Sequence, residues 1–446
     1  MIYQNNLILK EETTKENRIW VRIAAACNEK CLFCLDSDAQ DGRLIPENIV
    51  KKQIREGWKV GYKNRVILSG GEATINPKFG EYIRYAKEIW YDRIQTVTNG
   101  NMFALPSFCD KVIALWLQEV TFSLHGHTAS LHDYLTATPG SFKKAITWLI
   151  YLRKHHPNVI INIDIVVNKI NVSFLPKIVQ FFMWLWVHEF DILQIIPFGR
   201  WFSEYKNRLF YDIEDYLAPL HATWKLARMP GVYIWTNRFP VEAFEWYEDL
   251  IQDPRKIKSE TLGESFEMFD PFIRSRWEKK PECYGEACSV CFLNQYCHDF
   301  LNSIDTPVTS RGNSYTIKSV ENWINLENAE YIVLEWEEFP SQIYSKYGNN
   351  SEEFISYLRN LPLLASQKLI NISPCIREEN NHMLYQNYND LRTELSVQDY
   401  TQNYIKNLYR KKSISCKKCK YNDRCKWIHI NFIRAYGFKI LNPIPK

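Results

Sequence analysis

Six short strand-like segments recur between residues 18 and 235, each followed by a stretch of helical or turn-forming character. Residues 19–23 alternate with period two, and 65–68, 94–97, 119–124, 159–167 and 192–196 read as further strands. Between them, 46–58, 77–91, 141–155 and 175–188 have helical spacing, with Pro46 at a tolerated first-turn position and Ser141 as a cap. Strands and helices alternating at this spacing predict parallel strands joined by crossover helices. Right-handed crossovers curl such a sheet into a barrel or part of one. The expected fold is therefore α/β, a partial (β/α)6 barrel of the TIM type. Each strand ends in polar or glycine-rich punctuation: Gly70-Gly71-Glu72, Thr98-Asn99-Gly100-Asn101, Ser123 with His125, Asn168, and Pro197-Phe198-Gly199. In α/β barrels the C-terminal rim is where sites are built.

The first strand delivers Cys27, Cys31 and Cys34, three of twelve cysteines in 446 residues. C-x3-C-x2-C spacing wraps a loop around a compact object rather than lining one helix face. Thiolates are the usual ligands of iron–sulfur clusters, and a 4Fe–4S cube normally takes four. Three local ligands leave one iron open. Zinc is the competing reading of such a loop. A further eight cysteines form two groups, Cys283, Cys288, Cys291 and Cys297, then Cys375, Cys416, Cys419 and Cys425; Cys109 stands alone, as a small buried hydrophobe would.

The polar start shows no secretory signal, which makes disulfides unexpected and metal ligation expected. A formal charge of +4 is too small to argue for nucleic acid or an anionic membrane. The most apolar run, 179–187, is far shorter than the ~20 residues of a membrane span. A cytoplasmic protein with neither partner is the expectation.

After residue 235 the alternation stops and the composition turns charged and aromatic. Residues 239–251 and 263–277 read as amphipathic helices, 331–336 as a strand and 351–361 as a helix; 346–350 reads as a loop, and 410–418 is a basic run. Cys288-x2-Cys291-x5-Cys297 and Cys416-x2-Cys419-x5-Cys425 repeat one spacing. Each group of four suits structural zinc or a fully ligated 4Fe–4S cluster. The expected organisation is a lead-in over 1–17, the barrel over 18–235, a helical bridge with the first cysteine group over 236–300, and a C-terminal region with the second over 301–446.

The cysteine loop, with Phe33 before its last cysteine and Gly70-Gly71-Glu72 one strand later, resembles that of radical S-adenosylmethionine (SAM) enzymes. The stretch Phe122 to Gly126, with His132 to Thr136 and Pro139 to Phe142, is similar to one subgroup of them. The resemblance implies that Cys27, Cys31 and Cys34 hold the catalytic 4Fe–4S cluster. It implies that Gly70 and Gly71 let backbone approach the methionine part of SAM and that Glu72 receives its ammonium. Thr98 and Asn99 would lie near the cofactor, and Ser123, His125 and Asn168 would reach its carboxylate or ribose. Phe33 and Pro197 would close on adenine. For His125 a structural hydrogen bond is an equal alternative.

The repeated cysteine spacing resembles the twitch and SPASM extensions, which carry auxiliary 4Fe–4S clusters. Where the SPASM pattern has a further cysteine, this chain has Leu301 and His429, so Cys375 is open to either cluster and His429 to ligation or a surface role. The implied chemistry is reductive cleavage of SAM to a 5′-deoxyadenosyl radical, with an electron from a flavodoxin- or ferredoxin-type donor, and hydrogen abstraction. The layout is similar to that of maturases that cross-link or oxidise ribosomally made peptides or protein side chains. No wing-like leader-binding module precedes residue 18, so recognition would fall to the C-terminal region or a separate protein. The alternatives are a small metabolite such as a sugar or nucleotide, or a non-catalytic iron–sulfur or zinc-stapled protein; the six strand ends argue against the last.

Overall fold

The computed structural model describes residues 7, 10–12, 17–263, 265–276, 278–281, 283–285, 288, 291–304, 314–316, 330–334, 337–363, 366–377, 396–426 and 428–445. The chain forms two compact units, 12–239 and 1–11 with 240–446.

The first unit is built on seven parallel strands that pair in chain order: β1 Arg18–Ala24, β2 Arg65–Gly70, β3 Arg93–Thr98, β4 Glu119–Ser123, β5 Ile160–Val167, β6 Glu189–Gln194 and β7 Tyr233–Asn237. β1 and β7 are the two edges, so the α/β sheet is a partial barrel. One strand more than expected is present. Tyr233–Asn237 pairs with β6, at the point where the alternation is expected to end. β6 lies earlier than 192–196, because Glu189 and Asp191 occupy positions in register with Asn162 and Asp164 of β5 and hide the apolar alternation.

Helices cover the sheet by burying one stripe each. In Glu47–Lys59 that stripe is Val50, Ile54 and Gly57, at helical spacing. A Cβ on Gly57 would stand 2.5 Å from Ile19 Cδ1 of β1, so a larger residue there requires the Ile19 side chain to shift. In Ser141–His155 the stripe is Ala145, Trp148, Leu149 and Leu152. Each large side chain so buried is worth roughly 1.5–3 kcal/mol of transfer free energy. Toward the N-terminal ends of the strands a buried polar network joins Arg65, Gln95, Glu119, Thr121 and Asn162, with Arg65–Glu119 at 3.2 Å and Asn162–Glu119 at 2.8 Å. Pairing makes this burial of charge tolerable.

Several expected boundaries move. The second helix is Phe79–Glu88, stopped by Trp90 in the left-handed region (φ 70°), and the one before β6 is Leu175–Trp184, stopped by Trp186 (φ 57°). Helices Pro106–Ala114 and Ala129–Thr136 were not anticipated, being short and weakly amphipathic. Ser141 is the first helical residue and not the cap; Gly140, at φ 82°, holds that position.

The second unit contains a three-stranded parallel sheet in the order β10-β9-β8, from β8 Ser314–Thr316, β9 Tyr331–Val333 and β10 Lys368–Ile370. An antiparallel pair joins β11 Arg410–Lys411 to β12 Ile428–His429. Helices Phe266–Arg274, Asn294–Ile304 and Ser351–Arg359 are present, the first and last where helices are expected, although Glu264, Trp277, Glu335 and Trp336 of the expected elements lie outside the described residues. Residues 239–251 do not form one continuous helix. They make two short 3-10 helices, Val241–Phe244 and Glu248–Leu250, because the backbone turns extended at Glu245 (ψ 126°) and left-handed at Trp246 (φ 77°). Residues 346 and 347 belong to helix Pro340–Tyr347, not to a loop. Tyr296, Phe300, Tyr400 and Tyr404 form an aromatic core, with Tyr296 and Tyr400 rings 4.9 Å apart. No helix among the described residues is long and apolar enough to cross a membrane.

Candidate functional site

The cysteine loop leaves β1 and is fixed on three sides by backbone. Lys30 N–H and Leu32 N–H donate to the carbonyls of Thr136 and Leu135 at the end of helix Ala129–Thr136 (3.2 and 2.9 Å). Gly71 N–H and Glu72 N–H donate to Ala24 and Ala26 carbonyls (2.9 and 2.8 Å), and Arg200 N–H donates to the Cys34 carbonyl (3.1 Å). The glycines make these approaches feasible. A Cβ on Gly71 would stand 2.4 Å from Ala26 O and 3.2 Å from Cys27 Cβ, and one on Gly199 would stand 2.3 Å from Cys34 O. Gly70 (φ 141°) likewise faces Ala24 O. Close packing of strand ends on the cysteine loop therefore accounts for both Gly70 and Gly71 before any ligand is considered.

Cys27, Cys31 and Cys34 are half-buried and share one neighbourhood. Burial pushes the Cys27 thiol up to about 12, with Glu72, Glu29 and Cys34 adding repulsion. Cys31 is driven well above its ordinary value by burial, then by Glu29, Cys27 and Cys34. Burial raises all three thiols, so a metal's positive charge would favour the thiolate forms that burial disfavours. Gln40 Nε2 already donates to Cys34 Sγ (3.3 Å), and Glu29 N–H to Cys27 Sγ (3.4 Å). The residues present fit a group anchored by three cysteine sulfurs.

Glu72 caps the turn after β2 and is fully buried. Its Oε1 accepts from Thr74 N–H (3.0 Å), the Thr74 hydroxyl and the Thr98 hydroxyl (2.7 Å), while Oε2 accepts Asn99 N–H (2.7 Å). Glu72, Thr98 and Asn99 thus come together as one staple between the ends of β2 and β3. A carboxylate offers about four acceptor directions, and among the described contacts Oε2 uses one of its two. Burial raises the Glu72 carboxyl while these donors pull it down.

The remaining rim residues divide. Phe33 is buried with its ring edge-on to His125, centroids 4.4 Å apart. His125 is buried, its Nδ1 accepts Val166 N–H (3.1 Å), and burial keeps it neutral, so its observed bonds are structural. Asn168 spends its amide on its own turn, donating to Val166 O and accepting from Ile170 N–H (3.2 and 3.0 Å). Ser123 is half-buried at the end of β4. Pro197 lies three residues past the end of β6, in the segment that reaches Cys34.

A second network was missed in the sequence. Glu29, inside the cysteine loop and 4% exposed, accepts from Asn101 Nδ2 (2.9 Å) and from the Ser141 hydroxyl, and its Oε2 lies 3.7 Å from Cys31 Sγ. Ser141 Oγ in turn meets His132 Nε2 (3.4 Å), and His132 Nδ1 accepts His125 N–H (3.2 Å). Asn99 Nδ2 reaches Asn28 Oδ1 (2.6 Å). Ser141 does not cap its helix, and its hydroxyl holds the loop. Burial pushes Glu29 up to about 7, against the Ser141 and Asn101 bonds that lower it. The only sequence signal was a carboxylate between two cysteines.

The other eight cysteines sort into two sets within the second unit. Cys297, on helix Asn294–Ile304, is half-buried, and desolvation raises its thiol with Cys291, Cys283 and Cys288 adding to it. Cys375 is raised to about 12 by burial and by Cys425, Cys416 and Cys419. Cys375, Cys416, Cys419 and Cys425 also line one small cavity. Cys375 therefore falls with the last three. Among the described residues no group of three or more His, Cys, Asp or Glu side chains is arranged to hold a single metal ion. Cys109 is buried and donates to Phe103 O (3.3 Å).

His429 is neither on the surface nor turned to a ligand. It is buried, its Nε2 bonds Ile405 O (2.8 Å), and its Nδ1 accepts Asn431 N–H (3.2 Å) to cap helix Ile430–Tyr436. Burial drops its pKa from 6.5 to about 3. The unfolded chain then binds the extra proton, so this contribution is present above pH 6.5 and lost as pH falls toward 3. We expect about 2 kcal/mol less stability from this group at about pH 5 than at about pH 7.5. Urea unfolding at the two pH values, with His429→Gln showing a flatter pH slope, checks it; equal slopes would overturn it.

Residues 21–179 match the family model of the radical SAM superfamily. An AdoMet-dependent heme synthase of Methanosarcina barkeri is 28% identical over 181 residues, 40% of this chain and 50% of that protein. A probable GTP 3′,8-cyclase of Saccharolobus solfataricus is 25% identical over 204 residues, 45% of this chain and 64% of that protein. The chain thus matches about half to two thirds of the length of these relatives. Among solved structures, Streptococcus suis SuiB bound to precursor peptide SuiA aligns with TM-score 0.42 at 15% identity, over 56% of this chain and 55% of that one. The anSMEcpe structure with bound AdoMet aligns with TM-score 0.41 at 16% identity, over 55% and 67%. The chain carries a radical SAM superfamily domain.

Proposed function

We propose that this chain is a radical SAM enzyme that cross-links or oxidises a ribosomally synthesised peptide or a protein side chain. The observation that carries the proposal is the pair of four-cysteine sets in the second unit, in a chain whose first unit carries the three-cysteine loop. A 4Fe–4S cluster with SAM would supply the chemistry here: one-electron cleavage of SAM, with methionine as the other product, to give a hydrogen-abstracting radical. Cys27, Cys31 and Cys34 hold that cluster, and Glu72, with Oε2 half used, receives the SAM ammonium as a charge-assisted bond. Gly70, Gly71, Thr98 and Asn99 shape that end of the pocket. Phe33, Ser123, His125, Asn168 and Pro197 form its outer wall. Each four-cysteine set, with every corner taken by protein, suits electron passage better than substrate ligation. Removing an electron from a product radical is what a cross-link or dehydrogenation requires. A flavodoxin- or ferredoxin-type carrier is the proposed donor, and leader recognition falls to residues 236–446 or a separate protein.

A second reading is favoured by the relatives, whose names, a heme synthase and a GTP cyclase, point to small-molecule substrates. Metal content and product analysis test both. We expect about twelve iron per chain after anaerobic reconstitution, about three 4Fe–4S clusters. About four iron with about two zinc would reduce the second unit to a stapled recognition domain. No iron would overturn the assignment of the loop. SAM-dependent mass loss on a peptide, in place of turnover of a tetrapyrrole or nucleotide, separates the substrate classes.

A further inference from the structure

The cavity lined by Cys375, Cys416, Cys419 and Cys425 is also lined by Ser373. Ser373 is 0% exposed, and its hydroxyl has no hydrogen-bond partner among the described residues. Buried hydroxyls are almost always paired, and an unpaired one is costly. Its backbone has a separate task, since Ser373 O accepts from Ile376 N–H and Arg377 N–H (3.0 and 3.4 Å) in the turn that presents Cys375. That turn needs no hydroxyl. The side-chain amide of Asn422 at the cavity is already engaged, with Oδ1 accepting from Lys412 Nζ (3.0 Å).

We infer that Ser373 donates its hydroxyl hydrogen to a sulfur, thiolate or sulfide, of a 4Fe–4S cluster held by Cys375, Cys416, Cys419 and Cys425, and raises its reduction potential. The inference rests on reading this set as a cluster site. Hydrogen bonds to cluster sulfur stabilise the more negative, reduced state. The exposed Lys417, Lys418, Lys420 and Lys426 flanking these cysteines act in the same direction. Ser373 is a positioning and tuning residue, since it acts on the cluster and not on substrate.

The test uses the full chain, reconstituted with iron and sulfide, with Cys27, Cys31 and Cys34 changed to alanine to remove the first cluster's signal. The signal of the C-terminal set is the one lost when Cys416→Ala and Cys419→Ala are added. In potentiometric titration followed by electron paramagnetic resonance, Ser373→Ala should lower that midpoint by roughly tenfold in the oxidised-to-reduced ratio, about 59 mV for one electron. Iron content and the other signal should stay fixed, and Ser373→Thr, which keeps the hydroxyl, should stay near the parent. A deuteron exchanged in from D2O and coupled to that signal should vanish in Ser373→Ala, a readout that stands if the threonine variant fails to fold. An unchanged midpoint with the cluster present would overturn the role of Ser373. Loss of no signal in the Cys416/Cys419 variant would overturn the cluster reading itself, before Ser373 is varied.

Discussion

Replacing Cys27, Cys31 and Cys34 together by alanine leaves a folded chain that forms no 5′-deoxyadenosine from SAM. The fold survives because the loop is held by backbone groups, which alanine keeps. Lys30 and Leu32 N–H bond the carbonyls of residues 136 and 135, and Arg200 N–H bonds the carbonyl of residue 34. The sulfurs themselves make weak bonds, from Gln40 Nε2 to Cys34 Sγ at 3.3 Å, from Glu29 N–H to Cys27 Sγ at 3.4 Å and from Cys31 Sγ to Glu29 at 3.7 Å. Stability of the metal-free chain should change by less than about 1 kcal/mol, since no well-packed apolar group is lost. Iron should fall by about four per chain. Anaerobic incubation with dithionite and SAM, followed by chromatography, measures the product. Continued SAM cleavage would sink the assignment of the loop.

The second large effect is expected at Glu72. Its alanine variant strands the Thr98 hydroxyl and the Asn99 and Thr74 N–H groups in a buried turn. Each buried unpaired donor costs about 1–3 kcal/mol, so the loss should be roughly 3–5 kcal/mol after relaxation. SAM affinity should fall at least about tenfold, one charge-assisted hydrogen bond's worth. Urea unfolding of the metal-free chain reads the first effect and equilibrium dialysis of the reconstituted chain reads the second. Lost stability with unchanged SAM affinity would leave Glu72 as a staple between β2 and β3 and remove it from the cofactor site.

The sheet was legible because buried parallel strands announce themselves as short apolar or β-branched runs, as in residues 66–68 and 159–167. β6 was misplaced for the opposite reason. Glu189 and Asp191 are polar residues of a parallel strand, partnered with Trp235 and Asn237 of β7, and period-two reading cannot see that pairing. The helix over 239–251 had the right periodicity and the wrong backbone, since an extended Glu245 and a left-handed Trp246 interrupt the pattern. At the site, cysteines, glycines and Glu72 were visible because their chemistry is local. Glu29, Ser141 and His132 were not, because their meaning lies in contacts 112 and 9 residues apart. His125 and Asn168 carried the correct position on the rim, and the structure commits the bonds described for them to backbone.

The wall that Gly199 and Arg200 place against Cys34 has a consequence for how the protein is made. Arg200 N–H also bonds the Ser37 hydroxyl, across 163 residues of chain. A ribosome adding about 5–20 residues per second exposes the three cysteines roughly 8–30 seconds before the last side of their enclosure exists. During that interval the thiols stand on a half-built sheet whose newest strand is always an edge. On the cluster reading proposed above, complete enclosure of iron and sulfide waits for the segment after β6, and the nascent loop is the stage at which oxidation or the wrong metal competes.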